Sequence, residues 1–459
     1  MEQKQKNDFS QGSVVGKIIR LAVPMTLAQL VNVLYNVVDR MYIGRIPENA
    51  TLALTGLGLC LPIITMVIAF ANLYGMGGAP LCSIARGRGE AEEAESIMGN
   101  SFTLMMLTGV ALMVFCYLFK KPMLYLFGAS DVTYPYANDY LTIYLLGTLF
   151  VMTGLGMNSF VNSQGFGRVG MLTVVLGAVA NIILDPIFIF VLDMGVRGAA
   201  IATVISQMLS TIWILTFLTG PRAILRLRLS AMRLKLDRVR RIVTLGTAGF
   251  MMSVTNSLVQ ILCNATLQST GGDLYVGVMT ILNSVREVIQ LPISGLTNSA
   301  QPVMGFNYGA EEYGRVKQGI RFLSVATIGY TVTAWGLVHL FPVFFIHLFN
   351  HEAQLVEAAV PAMRIYFFGF FMMALQMIGQ SVFVALGKSR QAIFFSMLRK
   401  VIIVAPLTIL LPMIPALGTN GVFLAEPVSN FIGGAACFLT MLHIVWRELT
   451  RREQLAGQV

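Results

Sequence analysis

Charge is scarce in this chain. Asp, Glu, Lys and Arg make up 12% of the residues, against 56% hydrophobic. So little polarity cannot coat a water-soluble domain of this length. The five cysteines (Cys60, Cys82, Cys116, Cys263, Cys437) are scattered through apolar stretches. They show neither metal-ligand spacing nor a disulfide framework, and read as small packing residues. The four histidines form no ligand pair; His347 and His351 are four apart but straddle a predicted helix end. There is no Gly-rich phosphate loop leading to Lys-Ser/Thr, no HExxH and no nucleophile–base pair in a soluble segment. These absences argue against an enzyme, a resident cofactor or an ATP-hydrolysing domain. Any pumping must draw on an ion gradient or a separate subunit. A cleavable signal peptide is not expected either, because the first apolar run is long and no small-residue cleavage site follows a short core.

What the chain has in abundance is apolar runs of membrane length. Twelve are predicted, at roughly 14–38, 51–79, 97–119, 136–161, 171–192, 197–219, 242–268, 275–304, 319–347, 355–386, 391–413 and 419–446. Each must be helical, since lipid offers no partner for backbone polar groups. The expected fold is an all-α integral membrane protein, with twelve transmembrane helices in two pseudo-symmetric bundles of six. The net charge of +10 does not point to nucleic acid, because most of the 32 Lys and Arg fall in segments on one side. Arg222, Arg226, Arg228, Arg233, Lys235, Arg238, Arg240 and Arg241 crowd a single loop. This bias places both termini and that loop in the cytoplasm.

The basic stretch 220–241 divides a six-span lobe at 1–219 from a second at 242–446, with a cytoplasmic tail at 447–459. It suits either a segment lying on the inner leaflet or a plain linker. Offsets repeat across the division. Pro80 and Gly87 match Pro302 and Gly309; Gly167-Arg168 precedes Pro186 as Gly387-Lys388 precedes Pro406; Gly198 and Ser206 match Gly421 and Ser429; Asn32 matches Asn256. An even number of spans per half keeps both halves in one orientation, with the cavity expected between them.

Within these spans Asp185 is costly, by about 2.5–3.5 kcal/mol on insertion scales. Pro186 cannot donate to the carbonyl of Ile182, which frees an acceptor beside the acid. Asn181 lies one turn back on the same face. Asp39 ends a polar series with Asn32 and Asn36 on one face of the first span. From Arg20, Asp39 is about 28 Å along the helix, and from Gly170, Asp185 is about 22 Å along, at 1.5 Å per residue. Thr203 falls early in a span entering from the outer side. Asp39, Asn181, Asp185 and Thr203 are therefore predicted at one depth, as a cation or proton site; two acids in a dry pocket repel, and a bound proton relieves the repulsion. The plainer readings are that Asp185 only joins helices and that Asp39 with Arg40 caps a helix end.

The stretches Tyr35-Asn-Val-Val-Asp39-Arg-Met-Tyr-Ile-Gly44, Asn181-Ile-Ile-Leu-Asp185-Pro186 and Gly195-Val-Arg-Gly-Ala-Ala-Ile-Ala-Thr203-Val-Ile-Ser-Gln207 together resemble the MATE (multidrug and toxic compound extrusion) family over nearly the full length. Within it the chain looks most like the bacterial MepA-like branch. The resemblance implies a cation-coupled antiporter in the bacterial cytoplasmic membrane, functional as a monomer. Its coupling site would use Asp39, Asn181, Asp185 and Thr203, with Asn36 nearby, for H⁺ or Na⁺. The second half departs from that site: by offset Cys263 stands for Asp39, Ala405 for Asp185 and Glu426 for Thr203, and the seventh span has no Glu.

For cargo, Glu287 lies midway along the eighth predicted span, either as an anchor for cationic amphipathic drugs or dyes or as a partner of Arg286. Glu426 carries the same pair of readings. Asn32, Asn256, Met25, Tyr35, Tyr136 and Tyr140 are further candidate contacts, since Met and aromatic side chains adapt to and stack against flat cations. Asp39, Asp185, Glu287 and Glu426 outnumber Arg286 and Arg364 within the spans, which favours cationic cargo. The alternative is a lipid-linked glycan or lipid flippase of the same superfamily, for which a strongly basic cavity is expected. Membrane lipids are the remaining partners.

Overall fold

The computed structural model of the protein describes residues 8–47 and 49–456; the first seven residues, Glu48 and the last three, including those parts of the predicted N-terminal lobe and tail, lie outside the described residues. Among the described residues there is no strand. The helices run α1 Val14–Ile43, α2 Ala50–Gly87, α3 Ala91–Leu126, α4 as a bent pair Tyr134–Leu146 and Thr148–Ser163, α5 Gly167–Val191 and α6 Gly195–Thr219. A continuous stretch Leu236–Gly309 then contains α7 and α8, which meet at Gly272. Next come α9 Tyr313–Leu340, α10 as the bent pair Ala353–Tyr366 and Phe370–Ala385, α11 Ser389–Met413 and α12 Asn420–Leu455. Among the described residues nine helices are individually long and apolar enough to cross a membrane; the two bent pairs add two crossings. Separating α7 from α8 brings the number to the twelve predicted from the apolar runs. Gly272 takes φ 73° and ψ −168°, a reversal that a residue with a Cβ rarely adopts.

Two compact units form: Val23–Gly246 in one, and Phe9–Ala22 with the chain from Thr247 onward in the other. The division inside α1 falls beside Pro24, which cannot donate an intrahelical hydrogen bond. The repeat seen in the sequence extends to packing within each unit. α4 bends by 57° at Gly147, and α10 bends by 50° before Phe370. A Cβ on Gly147 would come within 2.8 Å of Val204 in α6, and one on Gly369 within 3.1 Å of Pro427 in α12. In each unit the bend thus lies against the last span. Large apolar side chains such as Leu118 and Val325 are exposed, as lipid-facing surfaces permit. The five thiols are buried without a disulfide among the described residues, filling space as expected.

The 220–241 segment is bonded to the first unit rather than strung out. Asn100 of α3 donates from Nδ2 to the carbonyls of Ala231 at 3.1 Å and Arg233 at 2.9 Å, and its Oδ1 accepts from the Lys235 amide at 3.0 Å. Glu95 Oε1 accepts the Arg226 amide at 2.9 Å, and Glu93 pairs with Arg238 and Arg241. Ala223, Leu225 and Leu227 are buried, while Leu229 and Leu236 stay exposed among the arginines. In the second unit the helix continues past the predicted end of the last span. Its Glu448 and Glu453 pair with Lys388 and Lys317 at 2.6 and 2.7 Å.

Candidate functional site

In the first unit the ends of α1, α5 and α6 bring four of the predicted residues together. Asp39 stands one turn before the end of α1, and Asp185 at the point where α5 loosens into a wider π turn over Ile187–Val191. Thr203 is two turns into α6. All three and Asn181 are buried, Asp185 completely. The two carboxyl groups lie within interaction range of each other. Asn181 Nδ2 donates to Thr203 Oγ1 at 3.4 Å, and Thr203 Oγ1 donates to the Ala199 carbonyl at 3.0 Å. Four acceptor oxygens are left with no donor: Asp39 Oδ1, both carboxyl oxygens of Asp185 and Asn181 Oδ1. Buried acceptors are almost always satisfied, so four together without a donor are an unusual concentration of unmet hydrogen-bond capacity. Arg40 is exposed and makes no contact ion pair among the described residues, acting on Asp39 only at longer range.

Tyr35 and Tyr140 flank the acids, each within electrostatic reach of Asp39 and close to Thr203. Tyr140 is buried and stacks on Tyr144 with ring centroids 6.0 Å apart. Tyr136 instead packs against Gly56 of α2. Asn36 is not gathered into the pocket: it is exposed, and its Nδ2 donates to the Asn32 carbonyl at 2.9 Å. A cavity of about 220 Å³ adjoins the acids through Tyr35. Met25 and Asn32 line it from α1, as expected of the polar face of that span. Asn158 and Asn162 of α4 and Gln207 of α6 also line it and were not singled out from the sequence. The two asparagines stand i, i+4 inside an apolar span, which is a readable signal. Their Oδ1 atoms have no donor.

The second unit treats its two candidate acids differently. Arg286 pairs with Glu426 at 3.1 Å and not with its neighbour Glu287, which is exposed and makes no ion pair among the described residues. Glu426 also binds Arg399 at 2.7 Å and Lys400 at 3.1 Å, so its oxygens are taken by bases rather than held open for a cation. Arg399 and Lys400 lie inside α11, so Arg286 and Arg364 are joined by two further bases within the spans. Cys263, the counterpart of Asp39, contacts Thr408 at 3.7 Å beside this cluster. Asn256 is exposed on α7.

A family model for MatE matches the chain twice, over residues 24–187 and 249–410, one copy in each half. The chain belongs to the MatE family. MATE proteins are membrane transporters and not enzymes, in agreement with the missing catalytic motifs. Among relatives, a multidrug export protein MepA of Staphylococcus saprophyticus is 23% identical over 97% of this chain and 96% of its own length. Among solved structures, the outward-facing conformation of a multidrug resistance MATE transporter of the MOP superfamily superposes with a TM-score of 0.88 at 21% identity, covering 97% of this chain and 98% of that one. A MOP superfamily transporter from Pyrococcus furiosus, whose pocket is described as having reversed polarity that suggests a different function, superposes with a TM-score of 0.89 at 21% identity, covering 97% and 98%. These likenesses establish the MATE fold along the whole chain. The doubled match also fits the repeated bends of α4 and α10.

Proposed function

We propose that the protein exports lipophilic cationic compounds in exchange for H⁺ or Na⁺, with Asp39, Asn181, Asp185 and Thr203 as the coupling site. The observation that carries this reading is the set of four buried acceptor oxygens with no donor among them. Two facing carboxylates repel in a low-dielectric site, and one shared proton removes the repulsion. A proton is the favoured ion for that reason. Sodium would be held by the same oxygens, joined by the carbonyl that Pro186 frees. Asp39, Tyr35, Asn32 and Met25 all ride on α1, and three of them line the cavity. Neutralising Asp39 lets α1 shift against α5 and changes the cavity, so ion and cargo favour different conformations. That differential affinity is what exchange requires. Glu287, exposed and unpaired among the described residues, supplies an anionic contact for cargo. The name of the Staphylococcus relative supports drugs as cargo, and the basic stretch 220–241 supports cytoplasmic termini in a bacterial cytoplasmic membrane.

The test is ethidium transport by the purified protein in lipid vesicles, under a pH gradient and a sodium gradient imposed separately. Asp39→Asn and Asp185→Asn should each abolish gradient-driven transport while the protein still elutes as a folded species. Full transport by either variant removes the coupling role. Transport by the wild type without any gradient dependence removes the exchange reading.

A further inference from the structure

Inside the second unit three cations converge on one carboxylate. Glu426 Oε1 accepts from Arg286 Nη1 at 3.1 Å and from Arg399 Nη1 at 2.7 Å, and Oε2 accepts from Lys400 Nζ at 3.1 Å. The side chains of Glu426, Lys400 and Arg399 are 8%, 4% and 11% exposed, and Arg286 is 23% exposed. The cluster is deep: Lys400 is about 16 Å along α11 from Ser389 at 1.5 Å per residue. Arg399 and Lys400 are consecutive, and in an α-helix they would diverge. They sit in a π turn over Leu398–Val404, whose wider winding lets both reach Glu426. Asn430, in a second π turn of α12, accepts from Arg399 Nη1 at 3.0 Å and fixes the guanidinium.

The charges do not balance. One carboxylate is bonded to three bases; α9 and α11 carry no acid, Glu287 reaches only its neighbour Arg286 and at longer range, and Glu287 and Glu357 are exposed and make no ion pair among the described residues. Uncompensated charge at this depth is costly and marks function more often than support. Donors are also left over. Both arginines bond Glu426 through Nη1, and neither Nε nor Nη2 of either has a partner among the described residues. The guanidinium of Arg286 lies 5.7 Å from the Tyr366 ring, whose hydroxyl donates to Asn283 Oδ1 at 3.0 Å. Phe423, Val404 and Phe367, on the same helices or on α10, are buried in the apolar core of this unit.

We propose that this cluster is a binding site for an anionic oxygen group, phosphate or carboxylate, carried on an amphipathic molecule. Arginine forks match oxyanions in geometry, a lysine adds a point charge, and the apolar core of the unit suits an attached chain. Arg286, the most exposed of the three, is the point of entry. The site occupies the place of the acid pocket by internal offset, so the two units carry opposite polarity. As a cargo site it rests on the exporter reading, but its test is equilibrium binding and needs no transport.

The experiment is calorimetric titration of the full-length protein in a non-ionic detergent with three probes: inorganic phosphate, dihexanoyl phosphatidic acid, and dihexanoyl phosphatidylcholine as the zwitterionic control. The phosphatidic acid should bind at least about tenfold tighter than the control, and Arg399→Gln should remove that preference, as loss of a charge-assisted contact predicts. Arg286→Gln, at the more exposed position, should act in the same direction and keeps the test valid if Arg399→Gln does not fold. Glu426→Gln removes the internal competitor and should tighten the anionic probe; a purely structural cluster would lose only stability. Tight binding of phosphate alone assigns the site to free anions and supports the same chemistry. Equal affinity for the anionic and zwitterionic probes overturns the proposal, as does a preference that survives both arginine substitutions. Ethidium exchange by the same variants reports on the exporter reading separately.

Discussion

Asn181 and Thr203 share one hydrogen bond, from Nδ2 to Oγ1 at 3.4 Å, and it turns the carbonyl oxygen of Asn181 away from any donor. Thr203 is itself held by the Ala199 carbonyl, so α6 fixes the orientation of an amide on α5. The pair sets the polarity of the pocket rather than its stability. Without Thr203 the amide can rotate and offer its N–H to Asp185, which would satisfy the carboxylate internally.

Thr203→Val tests this arrangement, since it keeps the shape and removes the hydroxyl. The half-saturating concentration of the driving cation should rise by about tenfold, equivalent to one hydrogen bond of roughly 1–1.5 kcal/mol. Folded yield should stay close to the wild type. An unchanged ion dependence in the vesicle assay would show that Asn181 is oriented by something else.

The latch on the linker gives a second prediction. Asn100 is buried and makes hydrogen bonds to Ala231, Arg233 and Lys235 as well as to its own helix. Asn100→Leu leaves those backbone groups without partners, at a cost of about 1–3 kcal/mol. The melting temperature in detergent should fall, and a protease should cut within 220–241 before other sites. A protease-resistant variant would show that the ion pairs of Glu93 hold the segment unaided.

Topology is testable with little background, because all five native cysteines are buried. Arg228→Cys, on an exposed position of the linker, should resist an impermeant thiol reagent added outside intact cells and react in inverted vesicles. Labelling of intact cells would reverse the orientation.

Much of the first unit was legible from the residues. Asp39, Asn181 and Asp185 stand out because polarity inside an apolar run is expensive, and helical spacing places them on common faces. Arg399 and Lys400 lie within the predicted span 391–413, yet they escaped notice because bases near a cytoplasmic helix end read as topology signals. Their depth depends on where α11 begins, and their convergence depends on a π turn that apolar periodicity does not encode. Asn36 shows the converse: spacing put it on one face with Asn32 and Asp39, but it is exposed and its amide bonds the backbone of its own helix. Spacing gives direction, while the partner is a matter of tertiary packing.

Glu287 was expected to choose between Arg286 and cargo, and Arg286 is taken by Glu426. Glu287→Gln should therefore leave stability unchanged while weakening monovalent cationic dyes by about 1–3 kcal/mol, the range of a charge-assisted contact. Dye affinity can be read by fluorescence anisotropy on purified protein. Equal affinity in both forms would locate the cargo's charge contact elsewhere.

Within the first unit α2 and the start of α7 approach closely at two glycines. A Cβ on Gly246 would fall 1.8 Å from the Leu73 carbonyl oxygen, and one on Gly77 would fall 2.2 Å from the Ile242 carbonyl oxygen. Both obstacles are main chain, so no rotamer change relieves them, and the helices themselves would have to part. Gly246→Ala should cost at least about 1–3 kcal/mol through overpacking. Gly58, also in α2, has nothing within 4 Å of its would-be Cβ, and Gly58→Ala should be neutral or mildly stabilising by its better helix propensity. Melting curves of the two variants in one detergent isolate the packing effect, since the chemical change is the same. The expected order is Gly246→Ala well below the wild type and Gly58→Ala at or above it. If the two alanines melt together, the α2–α7 contact is looser than its geometry requires.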